Sequence, residues 1–195
     1  MLFSENLLLN KRIVVTGATS EIGNSVANLC AELCASVCLV GRSEERLATA
    51  LSGLKNFGSS QSHSKLVGDL SSFEGAVEVF KEIQKKSNGI DSVFYSAGLE
   101  LIKATRSLKA ADIDQTCGAS FFGAMGAAKV CASKRFWRKS ETGGALVFMS
   151  SVSAKRGQIG MAGYAGARAG VLGLSRNLAV EFADLGVRVN SIVAG

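Results

Sequence analysis

With 195 residues, 22 of them glycine, and a positive mean hydropathy, the chain has the size and composition of one compact α/β domain with a sizeable core. Its net charge of +6 does not demand a nucleic-acid partner: the densest basic cluster, Lys134-Arg135-Phe-Trp-Arg138-Lys139, falls where a helix is expected to end, and cations there complement the helix dipole. The solitary histidine, His63, rules out a three-histidine metal site, so no metal is expected. Its place in the polar stretch Ser59-Ser-Gln-Ser-His-Ser64 reads as a surface loop, not as the base of a Ser-His-Asp hydrolase. No apolar run is long enough to span a membrane, and Met1 to Asn10 lacks the basic start and cleavage site of a signal peptide, so a cytoplasmic protein is expected. The five cysteines contain no Cys-x-x-Cys and are expected to be reduced and buried.

In chain order, apolar strand-like runs recur at Ile13 to Val15, Ser36 to Val40, Lys65 to Val67, Ser92 to Tyr95, Ala145 to Met149 and Val187 to Val193. Helical patterns alternate with them at about Asn24 to Leu33, Glu44 to Leu51, Phe73 to Lys85, Ala110 to Arg135 and Tyr164 to Ala183. Such alternation requires right-handed crossovers and a parallel sheet with helices on both faces, a doubly wound, three-layer Rossmann-type α/β fold. No linker or repeat divides the chain, so one domain is expected over 1–195.

In a doubly wound sheet, ligands bind at the carboxyl ends of the strands. The first strand runs into Gly17-Ala-Thr-Ser-Glu-Ile-Gly23, a strand, glycine turn and helix start. There backbone N–H groups and the helix dipole can approach a pyrophosphate. Arg42 follows the second strand, Asp69 and Leu70 the third, Ser96-Ala97-Gly98 the fourth and Ser151 the fifth. Thirteen residues after Ser151 comes Tyr164, with Arg168 one helical turn beyond. A cation beside a phenol favours its phenolate, and a hydroxyl at a strand end can hold a carbonyl against it, which is proton-transfer chemistry once a cofactor supplies a hydride. Taken singly, each feature is also an ordinary turn residue or an i,i+4 helix pair. Their convergence on one crevice favours the functional reading.

These residues resemble the short-chain dehydrogenase/reductase family of the classical type, from about Asn10 to Gly195: Thr16-Gly17-Ala-Thr-Ser-Glu-Ile-Gly23, Asp69, Ser96-Ala97-Gly98, Ser151, Tyr164 with Arg168, and Val187-Arg-Val-Asn-Ser-Ile-Val-Ala-Gly195. The resemblance implies a nicotinamide cofactor held by Gly17, Thr19, Ser20, Ile22, Gly23, Arg42, Asp69, Leu70, Ser96, Ala97, Gly98, Tyr164 and Arg168. It implies Tyr164 as general acid or base, Ser151 orienting the substrate carbonyl, Arg168 holding the nicotinamide ribose and favouring the phenolate, and Ser120 in the place of a relay asparagine. Four departures stand out. Glu21 replaces a glycine and is expected to face solvent. Tyr95-Ser96 replaces a pair of asparagines, Ser120 has a shorter side chain than asparagine, and Arg168 replaces lysine, keeping the charge while being larger and unable to release a proton.

Gly41-Arg42 at the end of the second strand, with no acidic residue, can accommodate a 2′-phosphate, so NADP(H) is expected, with NAD(H) as the alternative. The expected activity is carbonyl–alcohol interconversion on a small-molecule substrate. The alternative is an impaired member that binds dinucleotide or assembles without turnover. Small and apolar residues on more than one face of the helices from Ala110 and Tyr164 suggest a homodimer or homotetramer through them. Relatives of this type continue into a covering segment, a helix and a seventh strand, so the domain is expected to be C-terminally truncated or to lack its lid.

Overall fold

Alternation along the strands sets up two cores, one on each face of the sheet. The computed structural model describes residues 4–57, 60–140 and 142–195; Met1 to Phe3 and Ser59, parts of two stretches read above, lie outside the described residues. Strand β1 (Arg12–Thr16) turns Val14 to one face and Ile13 and Val15 to the other, and every strand that follows in the middle of the sheet repeats the pattern. The strands β2 (Ser36–Gly41), β3 (Ser64–Val67), β4 (Ser92–Tyr95), β5 (Gly144–Ser151) and β6 (Val187–Ala194) join it in the order β3-β2-β1-β4-β5-β6, all parallel. The order reverses beside β1, so β1 and β4 flank the switch point.

Helices α1 (Glu21–Glu32) and α2 (Glu44–Gly53) cover one face. The other is covered by α3 (Phe73–Lys86), α4 (Ala110–Cys117), α5 (Gly123–Cys131) and α6 (Ala162–Glu181), over a core in which Phe80, Phe136, Leu146 and Phe148 are fully buried. Burial of each such side chain contributes roughly 2 to 3 kcal/mol. The sheet and its helices are those expected, with differences in where helices begin, break and end. Serine caps start α1, α2 and α3: Ser20, Ser43 and Ser72 each accept a bond from the backbone N–H three residues on. The cap at Ser20 begins α1 earlier than apolar spacing indicates.

The helix expected from Ala110 to Arg135 is not continuous. It is broken by a π-helical turn, Gly118–Phe122, and ends at Cys131. The basic cluster therefore lies beyond the helix, in a turn that sends Phe136 and Trp137 into the core, Trp137 bonding through Nε1 to the Cys131 carbonyl at 2.7 Å. Nor is His63 a plain surface residue. It is half-buried, and its Nδ1 accepts the Val37 N–H at 3.2 Å. The cysteines are all free, but only Cys34 and Cys131 are buried; Cys30 on α1, Cys38 on β2 and Cys117 at the end of α4 are partly exposed. Burial still pushes the Cys30 thiol up to about 11.

Candidate active site

The turn after β1 is built for close approach. Gly17 has a left-handed backbone, φ 62°, and a side chain at Gly23 would stand 2.3 Å from the Gly17 carbonyl oxygen, so α1 can begin this close to the strand only with glycine there. The Ser20 hydroxyl is engaged in the turn itself, donating to the Gly17 carbonyl at 2.8 Å while accepting the Gly23 N–H at 3.1 Å. Glu21 and Ile22 are exposed at the first turn of α1. A cleft of about 410 Å³ opens over this turn, lined by Gly17, Thr19, Arg42, Asp69, Leu70, Ala97 and Gly98 among others. It thus gathers the ends of β1, β2, β3 and β4 at the switch point. The cleft also takes in Ser71, Leu99 and Gln115, which sequence reasoning did not single out; Gln115, on α4, could have been found only by knowing which way that helix faces.

Two of the expected residues have other partners. Asp69 turns its carboxylate back on its own loop, accepting Ser71 N–H at 3.0 Å and Ser71 Oγ–H at 2.7 Å; these bonds, with Arg42 nearby, hold its carboxyl below the usual range. Ser96 donates through Oγ to the Thr16 carbonyl at 2.6 Å, while Thr16 Oγ1 accepts the N–H groups of Ser96 and Ala97. Buried Thr16 therefore sets the path by which Ala97 and Gly98 enter the cleft, a role the sequence did not flag. Arg42 is exposed and, among the described residues, has no ion-pair or hydrogen-bond partner. Arg46 donates to the Thr19 carbonyl at 2.8 Å and ties α2 to the glycine turn.

The second group of residues lies behind Gly98. Ser150 Oγ donates to the Arg168 carbonyl at 2.9 Å and pins the middle of α6 to the end of β5. That bond fixes the height of Tyr164, one turn earlier on the helix. Arg168 is only 6% exposed; its guanidinium carbon lies 5.1 Å from the centre of the Tyr164 ring, and Nη1 donates to the Met149 carbonyl at 2.7 Å. A side chain at Gly98 would meet Arg168 Nη2 at 2.5 Å and Ser120 Oγ at 2.8 Å, so the guanidinium and the hydroxyl converge on that glycine. Ser120 is 1% exposed, and among the described residues neither its Oγ nor Arg168 Nε has a hydrogen-bond partner. The missed residue here is Tyr95. Its buried hydroxyl donates to the Ala119 carbonyl at 2.8 Å, holding the π-helical turn that carries Ser120. A tyrosine at the end of an otherwise apolar strand is a signal that such a partner exists.

Ser151 Oγ accepts the Ser153 N–H at 3.2 Å and lies 3.4 Å from Ser153 Oγ; among the described residues no hydrogen bond joins it to Tyr164. Ser153 and Ala165 line a second cleft, of about 580 Å³. Ser151, Tyr164 and Arg168 line neither cleft themselves: Arg168 abuts Gly98 of the first, Ser151 lies beside Ser153 of the second, and Ala165, next to Tyr164 on α6, also lines the second. The described residues contain no group of three His, Cys, Asp or Glu placed to hold a metal, and no helix among them is long and apolar enough to cross a membrane.

A family model described as short chain dehydrogenase matches residues 11–195. A 3beta-hydroxysteroid dehydrogenase of Mediterraneibacter gnavus is 33% identical over 187 residues, covering 93% of this chain and 64% of the relative. A levodione reductase of Leifsonia aquatica is 32% identical over 186 residues, covering 94% and 68%. The chain thus spans about two thirds of the length of these curated relatives. Among solved structures, a short chain dehydrogenase from Mycobacterium smegmatis superposes with a TM-score of 0.87 at 26% identity, over 99% of this chain and 80% of that one. A putative short chain dehydrogenase from Escherichia coli CFT073, complexed with NADPH, superposes with a TM-score of 0.86 at 25% identity, over 99% and 80%.

Proposed function

We propose that this chain, which belongs to the short chain dehydrogenase family, interconverts a carbonyl and an alcohol on a small molecule with NADP(H), Tyr164 serving as general acid and base. The observation that carries this reading is the buried Arg168 guanidinium lying over the Tyr164 ring, its Nη2 and the Ser120 hydroxyl converging beside Gly98, with Arg168 Nε and Ser120 Oγ unpartnered among the described residues. Buried polar groups of this kind call for an acceptor that a ligand brings.

The residues present fit a dinucleotide. The glycine turn and the start of α1 would receive the pyrophosphate, with Thr19 and Ile22 beside it. Arg42, Asp69 and Leu70 would surround the adenosine half, Arg42 offering a free cation to a 2′-phosphate, while Ala97 and Gly98 leave room for the nicotinamide ribose. Ser20 and Ser96 contribute backbone shape, since their hydroxyls are engaged within the protein. When bound, the nicotinamide supplies the hydride. As charge grows on the carbonyl oxygen, Ser151 Oγ donates to it and Tyr164 Oη releases its proton to it, the Arg168 charge favouring the phenolate that remains. Arg168 itself cannot release a proton, so the proton returning to Tyr164 comes from elsewhere.

Tyr164→Phe tests the assignment. NADPH-dependent ketone reduction is expected to fall by roughly 10²- to 10⁴-fold with NADPH binding retained; unchanged turnover removes Tyr164 from the chemistry. For cofactor choice, NADPH is expected to bind more tightly than NADH and Arg42→Ala to narrow the gap, whereas tighter NADH binding overturns the assignment. The second reading, dinucleotide binding without turnover, is favoured by the Nη1 bond from Arg168 to Met149, which turns the cation toward β5. It predicts NADPH binding, no reduction across a carbonyl panel, and activity gained in Arg168→Lys. For assembly, we propose a homodimer or homotetramer through α4, α5 and α6, where Ile113, Met125 and Val180 stay exposed. A monomeric sedimentation mass at micromolar concentration contradicts it.

A further inference from the structure

The second cleft is chemically unlike the first. Its wall is apolar, with Ile159, Met161 and Ala165, and Ile159 stands 95% exposed at the opening. Its rim carries Lys155 and Arg156, on the loop between β5 and α6. Both are exposed, and among the described residues neither side chain has an ion pair or a hydrogen bond. The neighbouring cation Lys103 shows the contrast, being paired with Asp112 at 2.6 Å. The cleft is a defined shape: the Lys103 N–H donates to the Gly160 carbonyl at 2.7 Å and joins the two segments that enclose it. It borders the reacting groups, since Ser153 on its wall has its Oγ 3.4 Å from Ser151 Oγ and Ala165, also on its wall, follows Tyr164 in α6.

We propose that the substrate of this site is an anionic carbonyl compound, its negative group received by Lys155 and Arg156 and set off from the reacting carbon by a short apolar stretch lying on Ile159 and Met161. An apolar wall alone would take any ketone. Two unpaired cations on its rim, with no carboxylate holding them, add a preference that a neutral ketone cannot meet. The inference rests on the placing of Ser151 and Tyr164 as the reacting groups, because that placing makes this cleft the substrate's side.

The test compares three ligands of equal chain length, an oxo-carboxylic acid, its methyl ester and an oxoalkyl phosphate, by calorimetric binding to the full chain with and without NADP⁺ and by NADPH-dependent turnover. The acid or the phosphate, whichever carries the favoured anion, is expected to bind roughly tenfold or more tightly than the ester near 50 mM salt, and the gap to narrow near 500 mM. The double variant Lys155→Gln, Arg156→Gln is expected to bring the ratio toward one. Equal binding of acid, phosphate and ester, or a preference that survives in the double variant, overturns the proposal. Anion-selective binding that is lost in the double variant but comes without any turnover leaves an anion site and removes the reductase reading, and with it the assignment of an anionic substrate. Equal turnover of all three ligands keeps the reductase and removes the anionic substrate.

Discussion

At the amino ends of the strands the sheet buries the carboxylate of Asp91, and at their carboxyl ends it buries the guanidinium of Arg168; the two charges are treated in opposite ways. Asp91, at 3% exposure, accepts the Arg12 N–H through Oδ2 at 2.8 Å, and its Oδ1 is held by ion pairs with Arg138 at 3.3 Å and Lys11 at 3.7 Å. Those cations come from the segment before β1 and from the turn after α5, so one carboxylate joins three parts of the chain. Among the described residues Arg168 has a single hydrogen bond through its guanidinium, to Met149, and faces an unpartnered hydroxyl, that of Ser120. Removing a buried charge that is paired leaves its partners uncompensated, whereas a buried charge with few partners carries a desolvation cost that a role in the site would offset.

Exchanging the two charges for neutral groups is the most direct way to break this comparison. Arg168→Met is expected to lower turnover by at least about 10²-fold and to weaken NADPH binding, while denaturant unfolding stays within about 1 kcal/mol of the parent or rises, since no charge pair is lost. Loss of several kcal/mol of stability in this variant would show that Arg168 belongs to the framework. Asp91→Ala is expected to do the reverse, costing about 3 kcal/mol of unfolding free energy with little change in NADPH affinity, because Arg12 N–H loses its acceptor and two cations lose their partner. The smallest expected effect concerns His63, also at the amino-end side. Burial holds its imidazole below the ordinary value of 6.5, and its Nδ1 must be neutral to accept the Val37 N–H. Above 6.5 both folded and unfolded chains are neutral there. As pH falls through 6.5 the unfolded chain takes the proton first, so stability declines toward the lower folded value. Unfolding followed at several values between about pH 7.5 and 5.5 should show the decline, flattened in His63→Gln; a flat profile in the parent removes His63 from the pH response.

The sheet and most of its helices were legible because their signals are periodic: apolar runs for strands, serine and glycine at the helix starts, and the order of chemistry-bearing residues at the strand ends. What escaped was what periodicity does not encode. A π-helical turn alters the bonding by one residue while leaving composition untouched, so the segment from Ala110 read as one long helix. Charge placed the cluster around Trp137 at a helix end, yet two aromatic side chains draw its turn inward. Hydroxyls carry no periodic signal of their partners either. The Ser20 and Ser96 hydroxyls donate to backbone carbonyls of the turn and strand beside them, and Tyr95, read only as a change in a motif, orients the turn that carries Ser120.

That turn has a consequence for tolerance to deletion. A π-helical turn is a helix with one residue spliced into it, kept there because Tyr95 receives the carbonyl that the wider ring presents. Removing a single residue between Gly118 and Phe122 would relax it to ordinary α geometry without breaking the helix, but would rotate everything on one side by about 100° relative to the other. Gln115 would leave the first cleft and another side of α4 would enter it. The spliced residue therefore works as an indexing notch, deciding which face of α4 the first cleft meets.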